Sequence, residues 1–272
     1  DLPRINTGEV SEGYRQFLGL CAHEYFHLWN VKRIRPAGLV GTDLTEEAYT
    51  RQLWAFEGVT SYYDGLDLVR SGVIKADSYL ELLANTITRL ARCGGRRRQS
   101  VAESSYFAWT KFYKQDENAT NAIVSYYTKG ALISLGLDVE LRRSTNDRVD
   151  LNTLMRALWK HYGATDTPVP EGRIETLASE LAGADMCAFF DDYVHGTAEL
   201  PLTDWLASLG VGIRMRPASG AKDQGGFIES LKPPPKALNT LGATFESDDG
   251  LVRLTRLVEN GPAQNAGLAA GD

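Results

Sequence analysis

The chain is 272 residues long, with 43% hydrophobic, 10% aromatic and 24% charged residues, which excludes a disordered or low-complexity polymer and supplies apolar material for one large domain or two modest ones. Its 35 acidic against 29 basic residues give a net charge of −6, so no broad cationic surface exists for nucleic acid or an anionic membrane. No stretch approaches the roughly 20 apolar residues of a membrane helix, and three scattered cysteines without a CxxC pair argue against a disulfide framework or a cysteine zinc site and favour a reducing, cytoplasmic compartment.

From 11 to 208 the apolar spacing is helical. Tyr14, Phe17, Leu18, Cys21, Tyr25 and Leu28 recur at three and four, which predicts a helix over 13–30 with one apolar stripe. The cations from Lys32 to Arg35 suit its C-terminal dipole, and Pro36 stops it. Asp43 followed three residues on by Glu46 has the form of a capping box and predicts a second helix over 43–72. A third is expected over 78–92, followed by a flexible basic loop, GGRRRQS, at 94–100. Helices over 123–143, 151–162, 171–181 and 186–194 follow, with Gly163 and Gly183 as stops. Then the composition changes: 219–226 (SGAKDQGG) and 232–236 (KPPPK) are linker or turn material, and Leu251, Arg253, Thr255 and Leu257 alternate as a strand does. The predicted division is a helical unit over 1–215 and a linker with the start of a β-rich unit over 216–272. Asp1, without an initiator methionine or an apolar leader, reads as the beginning of a piece of a longer or processed protein.

His23-Glu24-Tyr25-Phe26-His27 carries the chemistry. Four residues advance a helix by about 400°, so both histidines stand on one face and can reach a single ion at about 2.1 Å. Glu24 is splayed off that face beside the open coordination position, where a carboxylate can take a proton from bound water. Two protein ligands hold zinc weakly, so a third is required downstream, from Glu46, Glu47 or Glu57. Spacing favours Glu46, yet a helix start attracts acids in any case. Glu57, set among Trp54, Phe56, Val59 and Tyr62, would be an expensive buried charge without a partner. The far nitrogen of each histidine needs a carboxylate or carbonyl; Ser61 and Asp64, at i+4 and i+7 from Glu57, share its face, with Asp64 the stronger acceptor.

HEYFHLWNVKRIRP (23–36), LWAFEGVTSYYDGL (53–66), YYTKGALISLGLD (126–138) and HGTAELPL (195–202), in that order, resemble the signatures of the glycyl aminopeptidase family, zinc peptidases of the gluzincin type that carry a PDZ domain. The resemblance implies a mainly α fold, the helical lobe of a thermolysin-like catalytic domain. It implies one Zn²⁺ per chain on His23, His27 and Glu57, the last in a WxxEG-type segment. Glu24 is then the general base, and Tyr127, of Tyr127-Thr128-Lys129-Gly130, the donor to the developing oxyanion, with His195 as an alternative donor. The implied reaction is peptide hydrolysis that releases small N-terminal residues such as glycine or alanine. A β-rich lobe is expected ahead of the zinc helix, more than the 22 residues before His23 can hold.

Residues 259–272, ENGPAQNAGLAAGD, resemble the turn and short helix of PDZ domains attached to bacterial proteases. Leu241, Gly242, Ala243 and Thr244, ahead of the β run, are then the expected loop for the carboxylate of a C-terminal peptide. The chain ends where the closing strands of such a module are expected. Three rivals to the aminopeptidase remain: an endopeptidase with the same metal centre acting on unfolded chains captured by the PDZ module, a non-catalytic PDZ scaffold with a structural zinc, and a helical interaction protein without metal.

Overall fold

A computed structural model describes residues 11–43, 45–219, 223–227, 240–248 and 250–272. The Ser11 hydroxyl accepts the Tyr14 amide and starts α1 (Glu12–Phe26), the N-capping geometry that satisfies one of a helix's orphan donors. A tight turn and a short 3₁₀ segment (Ala37–Leu39) lead through irregular chain to α2 (Leu53–Phe56) and α3 (Gly58–Arg70). Then come α4 (Ala76–Ala91), α5 (Val101–Tyr106), α6 (Ala119–Ala122), α7 (Tyr126–Thr145), α8 (Leu151–Leu158), α9 (Arg173–Ala182), α10 (Cys187–Phe190) and α11 (Leu202–Ser208). Ser100, Ser125 and Asp150 cap α5, α7 and α8 through their side chains.

The molecule is mainly helical and organised around α7. That helix is buried almost along its length and packs against α2, α3, α4, α5, α8, α9 and α11. Its crossing with α3 has no side chain between the backbones: a Cβ on Gly58 would sit 2.6 Å from the Gly130 carbonyl carbon, and one on Gly130 2.7 Å from the Trp54 carbonyl oxygen. Only two glycines allow this approach, and it brings the start of α3 against the start of α7. Among the described residues no helix is long and apolar enough to cross a membrane.

The C-terminal part holds an antiparallel hairpin, β1 (Ala243–Asp248) with β2 (Leu251–Leu257), whose register shifts at Thr244/Phe245, and α12 (Pro262–Asn265). Asn121 ties it to the helical unit. The Asn121 amide donates to the Leu257 carbonyl (2.8 Å) and its side-chain oxygen accepts the Glu259 amide (3.0 Å). Arg98 forms an ion pair with Glu259 alongside.

Several expected elements differ. α1 ends at Phe26 rather than near residue 30, and the C-terminal half of its apolar stripe, with Tyr25 and Leu28, faces outward. The helix expected over 43–72 is two helices separated at Glu57, and residues 45–52 are irregular. Asp43 caps a turn instead: its carboxylate accepts from the amide and hydroxyl of Thr45. Over 94–100 the chain forms a 3₁₀ turn (Gly94–Arg97) in which Arg96 bonds Glu199 and Gln99 is buried, so the segment is an anchored corner rather than a solvated loop. The helices expected to run through 162 and 194 continue past Leu158 and Phe190 as π-helical turns, Trp159–Gly163 and Asp191–His195. The KPPPK segment and residues 220–222 of SGAKDQGG lie outside the described residues.

Candidate metal centre

α1 and the break between α2 and α3 face each other, and three side chains meet there. His23 lies in the last turn of α1 and His27 is its C-cap, still in helical conformation, so the i,i+4 alignment survives although the helix ends early. Their rings stand 4.7 Å apart at 89°. Glu57 is both the last cap of α2 and the first of α3, and the glycine after it lets α3 press onto α7. Its Oε2 is 3.3 Å from Nε2 of both His23 and His27.

Ligand arms of about 2.0 Å in a tetrahedron leave ligand atoms roughly 3.3 Å apart, which the two imidazole-to-carboxylate separations match. Among the described residues His23, His27 and Glu57 form the one group of three whose ligand atoms all lie within 4.8 Å of one another. The C-terminal end of α1 adds the negative pole of its backbone dipole on the same side, which favours a cation there.

Each member of the trio also shifts the ionisation of the others. Burial would lower His23, but hydrogen bonding with Asp64 and Glu57 outweighs it and lifts the imidazole to about 9. Glu57 bonding raises His27 against its burial and the Asn30 carbonyl adds to this. Burial would raise Glu57, but the two histidines hold its carboxyl down at about 2. Two imidazoles sharing one carboxylate thus keep a positive charge at the spot where the three ligands point.

Each imidazole has a second partner on its other nitrogen. His23 Nδ1 faces Asp64 Oδ2 at 3.6 Å, and His27 Nδ1 is 2.8 Å from the Asn30 carbonyl oxygen. Asn30 is buried, and its amide donates to the carbonyls of Ala55 and Phe56 and to the Thr60 hydroxyl, which locks the turn after α1 to α2 and α3. Val31 beside it holds φ at +134°, a strained value for a β-branched residue, so this turn is held against its local preference. Nothing in the sequence distinguishes Asn30, because its main chain faces the histidine.

The other expected site residues are distributed as follows. Glu24 is exposed next to His23 and, among the described residues, makes no hydrogen bond with its side chain. Tyr127 lies over His23, ring centroids 6.2 Å apart, and its hydroxyl is 3.2 Å from that of Tyr113; burial first, then this hydrogen bond and the Glu57 charge, push its pKa up. Ser61 faces the same helix side as Glu57, but among the described residues its hydroxyl bonds neither imidazole. Glu46 and Glu47 do not reach the histidines: Glu46 caps back onto the Asp43 turn through its amide, and Glu47 accepts from Tyr49. His195 pairs with Glu175 at 3.1 Å. In the C-terminal part Leu241 and Gly242 spend their carbonyls on Ala263 and Val258, while Ala243 and Thr244 pair with Leu257 and Arg256 inside the hairpin. Tyr113, which touches Tyr127, carries no signal in the sequence; it sits in a polar run after a π-helical turn, Ala108–Phe112.

Residues 16–133, which contain the whole cluster and Tyr127, match the M61 glycyl aminopeptidase family. Among solved structures the chain is similar to a crystal structure described as an aminopeptidase N family protein from Idiomarina loihiensis, with a TM-score of 0.90 and 36% sequence identity. That match covers 99% of this chain and 45% of the other, so the chain spans less than half of that protein's length. No curated protein matches it.

Proposed function

We propose that the chain is a member of the M61 glycyl aminopeptidase family, which residues 16–133 match, and that it hydrolyses peptides at a zinc centre, releasing small N-terminal residues such as glycine or alanine. One observation carries the proposal: Glu57 stands 3.3 Å from both imidazoles at the edge length of a tetrahedral site. Zn²⁺ held by His23, His27 and Glu57 would act as a Lewis acid that polarises a carbonyl and acidifies a water.

The rest falls to the chain's own groups. Glu24, exposed at the rim, accepts the proton of the attacking water and returns it to the leaving amine. Tyr127 donates its phenolic hydrogen to the carbonyl oxygen as charge develops there. That contact strengthens only along the reaction, so it raises kcat more than affinity. Asp64 and the Asn30 carbonyl hold the imidazoles in the tautomer that turns Nε2 to the ion. Of this preference the family description supports glycine alone. We read residues 216–272 as a linker and the first part of a PDZ-like module, with 241–244 as its peptide-carboxylate loop.

The test is Glu24→Gln in zinc-loaded protein, assayed on alanine 4-nitroanilide and on free and N-acetylated peptides. One zinc per chain with hydrolysis abolished is expected. Unchanged hydrolysis would leave the zinc a structural role. In the wild type, blocked peptides cut as fast as free ones would replace the aminopeptidase with an endopeptidase.

A further inference from the structure

Three phenols meet above the metal-facing cluster. Tyr126, 1% exposed, has its ring stacked on Tyr127 at 4.7 Å, and its hydroxyl donates to that of Tyr113 at 3.2 Å. The Tyr113 hydroxyl stands 3.2 Å from that of Tyr127. Tyr113 is 63% exposed, so packing does not hold it. It is delivered there by the π-helical turn Ala108–Phe112, whose extra residue per turn swings the following side chain away from where an α-helix would send it. The Trp109 indole, bonded to the Ala48 carbonyl at 3.0 Å, and Phe112, packed 4.7 Å from the Tyr126 ring, fix that turn from both sides.

A phenol has one hydrogen to give. Tyr126 spends its hydrogen on Tyr113, which leaves Tyr113's own hydrogen available. If Tyr113 gives it to the Tyr127 oxygen, the Tyr127 hydrogen is free to point into the cleft; if Tyr127 gives instead, its hydrogen is turned away. Resting on the reading of Tyr127 as oxyanion donor, we infer that Tyr126, Tyr113 and Tyr127 form a one-way hydrogen-bond relay, with Tyr113 the positioning residue that keeps the Tyr127 hydrogen aimed at the substrate carbonyl. No covalent bond changes in the relay. A chain of donors also polarises its last member, which makes Tyr127 the stronger donor as charge builds on the substrate.

The bland account is that Tyr113 only satisfies the buried Tyr126 hydroxyl, and a set of variants separates the two. Tyr113→Phe, made in the zinc-loaded protein, strands the buried Tyr126 hydroxyl, so a modest fall in melting temperature is expected on either account, and zinc content, expected unchanged, serves as the control. The relay predicts kcat on alanine 4-nitroanilide lowered about tenfold with KM within twofold, the size of one lost hydrogen bond to a group that acts in the transition state. A phosphinic dipeptide, whose tetrahedral oxygens carry the charge of the transition state, should bind more weakly by a similar factor. In the relay Tyr126 acts through Tyr113, so the Tyr113→Phe/Tyr126→Phe double variant should be no worse than Tyr113→Phe. Additive losses, or an unchanged kcat and phosphinate affinity in Tyr113→Phe, overturn the relay. Tyr127→Phe tells this failure from the other: if it too leaves kcat and phosphinate affinity unchanged, the oxyanion role of Tyr127 is what fails.

Discussion

The two helices that supply the metal-facing side chains are built to opposite plans. α3 is walled in, with Gly58, Val59, Thr60, Tyr62, Tyr63, Gly65 and Leu68 buried and its first residue pressed on α7. α1 has one buried residue, Arg15, and turns Leu20 and Tyr25 outward, as does the turn after it with Leu28 and Trp29. The acid therefore comes from a closely packed place in the fold and the imidazoles from an open flank. Asn30 joins the two, since its amide grips α2 and α3 while its carbonyl steadies His27. Rigidity at such a centre is required of the frame that orients the ligands, not of the whole helix that bears them.

If this contrast holds, the largest loss follows from adding one methyl group at the α3–α7 crossing. Gly58→Ala forces a Cβ onto backbone that cannot yield, and should cost about 3 kcal/mol, a fall of roughly 6–12 °C in melting temperature by calorimetry. Asn30→Ala should come next, with about 2 kcal/mol lost through stranded carbonyls and zinc affinity reduced roughly 10–100-fold, read by competition with a chelator. A variant that lost stability but kept its zinc affinity would show that the Asn30 side chain does not position the carbonyl bonded to His27.

The shared proton gives a smaller effect with a definite sign. In metal-free protein His23 is raised from 6.5 to about 9, so its contribution is full below 6.5 and lost as pH climbs through 9. Glu57 is lowered from 4.5 to about 2, so its contribution is full above 4.5 and lost as pH falls through 2. The melting temperature of chelator-treated protein should peak between these limits, and Glu57→Gln should flatten the profile. Smallest of all, Leu20→Ala on the open flank of α1 should move stability by no more than about 0.5 kcal/mol; a loss of several kcal/mol would mean that this flank is packed in solution.

The same contrast explains what the sequence made legible. His23, Glu24 and His27 are a local pattern, and a local pattern survives even when the helix ends four residues sooner than its apolar stripe suggests. Glu57 could be singled out by the cost of burying it, but its place at a helix break could not, because the packing beside that break involves Gly130, far along the chain. Asp43 and Glu46 failed for the converse reason: the capping signature is the same for a turn that never becomes a helix, and no buried face follows to extend it. Asn30 and Tyr113 were invisible because one acts through its main chain and the other through a π-helical turn that no simple periodicity marks.

The most direct test is metal content, measured by mass spectrometry on purified wild type, Glu57→Ala and Glu46→Ala after dialysis against limiting zinc. One zinc per wild-type chain, near-complete loss in Glu57→Ala and full loading in Glu46→Ala are expected. Full loading in Glu57→Ala, or loss in Glu46→Ala alone, would contradict a centre made of two imidazoles and the acid at the α2–α3 break.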